Sequence, residues 1–221
     1  MSIQALIFDC DGLLVDTETP DFRAWEQVYS EHGTTLLPER WMNGLGTFGG
    51  FDPHGELEQL VGRSLVRDAL WRDVRQRYER ILSEQPLLPG VRDLLEAAQA
   101  AGLRIALASS SERWWVNRIL TRYQIGPFFE CIRTRDDVAK VKPAPDLFLS
   151  AAECLGIAPE HCVVLEDSPN GMRAAAAAGM RCVAVPIALV AEAELPPVAL
   201  RLGSLAEITL PALLERLATA P

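Results

Sequence analysis

Asp9-Cys10-Asp11-Gly12 sets two carboxylates two residues apart, directly after the uncharged apolar run Ala5-Leu6-Ile7-Phe8. Such a run reads as a buried strand of a parallel sheet. Two acids at the end of a buried strand cannot both stay ionised in a dry place without a cation or a shared proton. A solvated pair of loop acids is the plainer reading, and the local sequence does not separate the two. Three further stretches bear on the choice. Ile105–Ala108 runs into Ser109-Ser110-Ser111. A short apolar segment near 131–133 is followed by Lys140-Val141-Lys142-Pro143-Ala144-Pro145-Asp146. Val163-Val164-Leu165 runs into Glu166-Asp167-Ser168-Pro169-Asn170-Gly171.

The elements that must position these residues follow from periodicity and punctuation. Helices are expected over 91–101, 112–123, 145–155, 169–178 and near 211–218, and strands over 103–108, 131–133, 162–165 and 181–185. Alternation of this kind implies an α/β fold with a Rossmann-like parallel sheet and helices on both faces. In such a sheet all the strand ends named above share one edge, where open α/β sheets bind ligands. That edge would gather Asp9, Asp11, a serine, Lys142, Glu166 and Asp167. Four carboxylates with a hard cation make a Mg²⁺ site of few protein ligands that a substrate phosphate completes. Serine and lysine supply the donors and positive charge that a phosphoryl group needs. Each residue also has an ordinary reading. Ser109 with Glu112 fits a capping box, Lys142 could be a surface lysine, and Glu166-Asp167 could cap the helix starting at Pro169. All these readings would have to hold together at four strand ends.

Residues 16–87 carry no strand signal, so an all-helical insertion is expected straight after the first strand. Thr19-Pro20 reads as the start of one helix, with Phe22, Trp25, Val28 and Tyr29 on its apolar face and Gly33 as its stop. Residues 34–53 read as irregular and a second helix covers about 54–61. Ser64 reads as the cap of a long helix with an apolar stripe of Val66, Leu70, Val74, Tyr78 and Ile81. The domains are thus 1–15 with 88–221 as the Rossmann-like core, and 16–87 as the helical cap.

Bulk properties bound the function. The 221 residues suffice for a real core, and 49% hydrophobic with 23% charged residues is ordinary for a soluble globular protein. The net charge of −9 and the lack of a basic block argue against nucleic acid as a partner. Lysine occurs only at positions 140 and 142. The five cysteines, Cys10, Cys131, Cys154, Cys162 and Cys182, lack CxxC spacing and read as small core residues in a reducing compartment. With no signal-like start and no long apolar run, the expectation is a cytoplasmic protein with no membrane partner.

The ordered set Asp9-Cys-Asp11-Gly-Leu-Leu-Val-Asp-Thr-Glu, Ser109, Lys142-Pro-Ala-Pro-Asp and Glu166-Asp167-Ser-Pro-Asn-Gly resembles the haloacid dehalogenase superfamily. The closest likeness is to the branch of β-phosphoglucomutase and the sugar-phosphate phosphatases. The resemblance spans nearly the whole chain, helical insertion included. It implies that Asp9 attacks phosphorus to form an aspartyl-phosphate, while Asp11 protonates the leaving alcohol and then deprotonates water. It implies Mg²⁺ held by Asp9, the backbone carbonyl of Asp11, Asp167 and Glu166, the last directly or through water. Ser109 and Lys142 would hold the transferring phosphoryl oxygens. The expected substrate is a small phosphorylated metabolite; one chain suffices for the mechanism, and a monomer is expected with an oligomer left open.

Departures from the family pattern choose among its activities. Asp21 stands where β-phosphoglucomutase has a histidine before Phe22-Arg23-Ala24-Trp25, and Glu112 stands where that enzyme has a basic residue. With no lysine between 16 and 87, a second phosphate has no evident grip, which favours hydrolysis over the alternative, a β-phosphoglucomutase-like phosphomutase. A non-catalytic interaction protein on the same scaffold is the third reading, and the intact acid, serine and lysine set argues against it. Missing cap lysines also argue against phosphonoacetaldehyde hydrolase, and Asp11 against the dehalogenases proper. Gly44-Leu-Gly46-Thr-Phe-Gly49 matches a dinucleotide pattern but follows no strand, so a lid loop is the better reading. Gly46, His54, Ser110 and Arg113 are the candidate substrate contacts. Trp114-Trp115 opens the helix after the serines, with one face expected in the core and the other against the cap.

Overall fold

The computed structural model describes residues 2–42, 51–187 and 195–219. The chain divides into two compact units, Met1–Val15 with Leu87–Pro221, and Asp16–Pro86.

The larger unit is built on a six-stranded, all-parallel sheet. Its strands are β1 (Ala5–Phe8), β2 (Arg104–Ala108), β3 (Cys131–Arg133), β4 (Cys162–Glu166), β5 (Arg181–Ala184) and β6 (Leu200–Arg201), in the spatial order β3-β2-β1-β4-β5-β6. The apolar first strand therefore lies in the middle, paired with β2 and β4 and buried on both faces. Strand alternation divides its side chains. Ala5 and Ile7 join a core formed with α7 (Asp146–Leu155) and α8 (Pro169–Ala177), through Leu147, Phe148, Ala151, Met172, Ala174 and Ala175. Phe8 points the other way and meets Phe129 edge-to-face, with ring centroids 6.1 Å apart. The alanine run of α8 is what allows that helix to lie close on β4 and β5. The unit is completed by α5 (Val91–Ala100), α6 (Arg113–Tyr123) and α9 (Leu210–Thr219). β6 has two residues, too few for any periodicity to announce it.

Among its described residues the second unit is helical: α1 (Glu18–Glu31), α2 (Pro38–Met42), α3 (Pro53–Val61) and α4 (Arg67–Leu82). Trp25 and Tyr29 of α1 are fully buried. Trp25 meets Trp71 of α4 edge-to-face at 5.1 Å, and the Tyr29 hydroxyl donates to the Pro53 carbonyl at 2.8 Å. Local details differ from the sequence reading. α1 starts at Glu18, one residue before Thr19, and the Asp16 carboxylate accepts from Thr19 N–H at 2.9 Å. α4 starts after Val66, which lies outside the stripe at 76% exposure. Ser64 does not cap it. α2 occupies part of a stretch expected to be irregular. Gly46 and the glycine-rich pattern around it lie outside the described residues.

One expectation is overturned. Cys131 and Cys154 form a disulfide, so only Cys10, Cys162 and Cys182 are free buried cysteines. The two partners are 23 residues apart in sequence, but α7 packs on β3 and brings their Cα atoms to 6.3 Å, within bridging range. No described helix is long and apolar enough to cross a membrane.

Candidate active site

Asp9 follows β1 while the chain is still paired, its N–H donating to the Leu165 carbonyl at 3.1 Å. The strand direction therefore delivers its carboxylate to the C-terminal edge of the sheet. The backbone then turns. Leu14 N–H reaches the Cys10 carbonyl at 2.9 Å and Gly12 N–H the Val15 carbonyl at 2.8 Å. Gly12 sits at φ +77°, and a Cβ there would come within 2.0 Å of Asp167 Oδ2. The glycine thus serves both the turn and the room for an acid from the neighbouring strand.

Of the eight buried polar or charged residues among those described, five share this edge: Asp9, Ser109, Lys142, Glu166 and Asp167. Lys142 arrives on the loop between β3 and α7. Its ammonium donates to Asp9 Oδ1 and to Glu166 Oε1, the latter at 2.8 Å, and lies 5.0 Å from the centre of the Phe148 ring. The second oxygen of Glu166 accepts from Ser168 N–H at 2.6 Å and from the Ser168 hydroxyl at 2.9 Å. Ser168 in turn caps α8 by accepting from Gly171 N–H at 3.1 Å. The cap of α8 is therefore Ser168, and Glu166 is left to orient the lysine.

Electrostatics follow from that burial. The Asp9 carboxyl is raised to about 7: desolvation, with the Glu166 and Asp11 charges, pushes it up and outweighs the pull of Lys142. Burial opposes the charge of Lys142, but Asp9 and Glu166 outweigh it and hold the amine protonated. Asp9, Glu166 and Asp167 each offer a carboxylate oxygen, all within 4.8 Å of one another. Three buried carboxylate oxygens so close together make an oxygen-rich corner, which suits a hard divalent cation.

Ser109 directly follows β2 and is buried. Its hydroxyl accepts from Ser111 N–H at 3.0 Å and reaches Asp11 Oδ2 at 3.4 Å. The capping box expected between Ser109 and Glu112 does not form. α6 begins at Arg113, whose N–H donates to the Asp136 carboxylate at 2.9 Å. The Ser110 hydroxyl oxygen is buried with no hydrogen-bond partner. The Arg113 guanidinium is engaged by Asp137 and by the Ile132 carbonyl of the edge strand, at 3.2 Å for the latter. His54 is buried in the helical unit, with Nε2 3.3 Å from the Leu65 carbonyl.

Two residues that the sequence reading left without a role bear on Asp11. The Ser111 hydroxyl lies 2.6 Å from Asp11 Oδ2, and Trp115 Nε1–H donates to Asp11 Oδ1 at 2.8 Å. Trp115 was expected only to pack. Its spacing from Ser111, one turn along the first stretch of α6, was the available signal.

Comparison with known proteins agrees with this arrangement. A family model described as haloacid dehalogenase-like hydrolase matches residues 3–179. The chain is 41% identical over 215 residues to YhcW of Bacillus subtilis, covering 97% of this chain and 98% of that one. It is 33% identical to hexitol phosphatase B of Escherichia coli, covering 94% and 95% of the two chains. A crystal structure of a CbbY mutant from Rhodobacter sphaeroides, in complex with xylulose-(1,5)bisphosphate, superposes with a TM-score of 0.72 at 30% identity, covering 96% and 99%. With the match spanning most of its length and the strand-end acids, serine and lysine in the family's order, the chain belongs to the haloacid dehalogenase-like hydrolases.

Proposed function

We propose that this hydrolase is a Mg²⁺-dependent phosphatase of a small phosphomonoester, with a sugar phosphate as the substrate class. The observation that carries this reading is the Asp9–Lys142–Glu166 arrangement: a buried strand-end carboxylate held against a protonated amine that a second carboxylate orients. Hexitol phosphatase B and the bisphosphate-bound CbbY structure support the substrate class.

In this reading Asp9 attacks phosphorus, the P–O bond to the alcohol breaks, and the leaving oxygen takes a proton from Asp11. Water then attacks the aspartyl-phosphate and gives a proton to Asp11, releasing phosphate and restoring both acids. Lys142 and Ser109 hold the phosphoryl oxygens as charge shifts among them. Asp9, the Asp11 carbonyl, Asp167 and Glu166 would hold Mg²⁺, which neutralises phosphate charge when bound. The helical unit 16–86 would act as the cap that selects substrate. Glu112, which lies at the start of α6 with its carboxylate on Trp114 Nε1, offers no grip for a second phosphate. Hydrolysis is therefore favoured over phosphomutation.

The test is phosphate release across a panel of phosphomonoesters with and without Mg²⁺. Metal-dependent release of free phosphate is expected. Isomerised sugar phosphate as the main product would favour the mutase, and no turnover together with no Mg²⁺ binding would contradict both.

A further inference from the structure

Trp115 does more than fill space beside the strand ends. Its indole N–H donates to Asp11 Oδ1 at 2.8 Å. Arg118 lies over the same ring, with its guanidinium carbon 5.4 Å from the ring centre, and Trp114 packs edge-to-face at 5.9 Å. The ring is therefore held on a face and an edge while its one polar atom addresses one oxygen of one carboxylate. On the other side of that carboxylate, Oδ2 meets the Ser111 hydroxyl at 2.6 Å and the Ser109 hydroxyl at 3.4 Å.

The two sides differ in kind. A serine hydroxyl can donate or accept, whereas an indole N–H can only donate. Oδ1 is thus held as an acceptor by the indole, while Oδ2 is the oxygen shared with the serines that follow β2. We propose that Trp115 is a positioning residue for the hydrolysis: it fixes the rotamer of Asp11 and so the direction in which its carboxyl group is presented. This rests on the reading of Asp11 as the proton carrier. The consequence is chemical. Proton delivery matters for an alkoxide leaving group and little for a nitrophenolate, which departs without help. Loss of Trp115 N–H should therefore impair alkyl phosphates selectively, which a general loosening of the site would not do.

The experiment compares kcat/KM for an alkyl phosphomonoester found in the panel and for p-nitrophenyl phosphate, because kcat/KM reports the steps up to departure of the leaving group. The variants are Trp115→Phe, which keeps a ring, and Trp115→Met, a flexible filler. Each is also made in an Asp11→Asn background. Both single variants should lose roughly tenfold or more on the alkyl substrate and much less on the aryl one, since general acid catalysis contributes about 10²–10⁴-fold. They should cause no further selective loss when Asp11 is already Asn. Equal losses on both substrates, or a selective loss that persists in the Asp11→Asn background, would overturn the role. In the ¹H–¹⁵N spectrum, the indole signal that Trp115→Phe removes should move in Asp11→Ala; a signal that stays put overturns the contact itself. If Asp11→Asn alone impairs both substrates equally, the proton-carrier reading fails, and the spectrum still reports whether the contact exists.

Discussion

A Cβ built on Gly171 lies 1.8 Å from Oε1 of Glu166, the oxygen that receives Lys142. The glycine of Ser168-Pro169-Asn170-Gly171 is thus the space in which the lysine's orienting carboxylate sits. Gly171→Ala should gain about 1 kcal/mol of helix propensity in α8, yet lose about 1–3 kcal/mol to overpacking. The expected outcome is a net loss of stability in urea unfolding together with reduced turnover. A variant more stable than the parent and fully active would contradict this close approach.

Lys142 faces two buried carboxylates, so its removal leaves charge without a partner. Lys142→Met keeps the length of the side chain and deletes the amine. It should cost about 3 kcal/mol of stability in metal-free protein, and Mg²⁺ should restore part of that loss by binding the folded state. Turnover should fall by at least two orders of magnitude. Thermal melting with and without Mg²⁺, alongside phosphate release, checks all three.

Burial pushes the half-buried Asp21 carboxyl on α1 up to about 6. A carboxyl whose folded pKa lies above its unfolded value binds more protons when folded. Stability from this group is therefore present below about pH 4 and is lost as pH rises through about 6. Asp21→Asn removes the charge and should stabilise the protein at pH 8 by about 2 kcal/mol. The gain should shrink towards pH 5 and vanish below pH 4. Chemical unfolding at several pH values checks it, and a gain that does not vary with pH would contradict the burial of this acid.

The Cys131–Cys154 bridge encloses the loop that carries Lys142. Closing a loop of 23 residues removes unfolded-state entropy worth about 3 kcal/mol. Reduction, or Cys154→Ser, should lower stability by about that amount. Equal stability of the oxidised and reduced proteins would show that the bridge does not constrain the chain.

Much of the fold is legible in the residues themselves. Ala5–Phe8 announced a buried strand because it is an uncharged apolar run that ends in two acids. Gly102, Gly156 and Gly179 marked helix ends because the chain turns left-handed there. The helical starts were harder to read. At α1 and α6 the capping oxygen comes from Asp16 and Asp136, outside the helix, and the second is distant in sequence. The disulfide was hidden for the same reason, since only the packing of α7 on β3 makes Cys131 and Cys154 neighbours. At the site, residue type pointed to Asp9, Ser109, Lys142, Glu166 and Asp167. Trp115 did not stand out, because an indole reads as core until its N–H is seen to face a carboxylate.

The proposed hydrolysis passes through a phosphorylated Asp9. Rapid acid quenching of the Mg²⁺-loaded protein with a phosphoryl-labelled substrate, followed by peptide mapping, tests it most directly. Hydroxylamine-labile label is expected on the peptide bearing Asp9, with neither label nor turnover in Asp9→Asn. Turnover near the parent level in Asp9→Asn, or label confined to another residue, would contradict it.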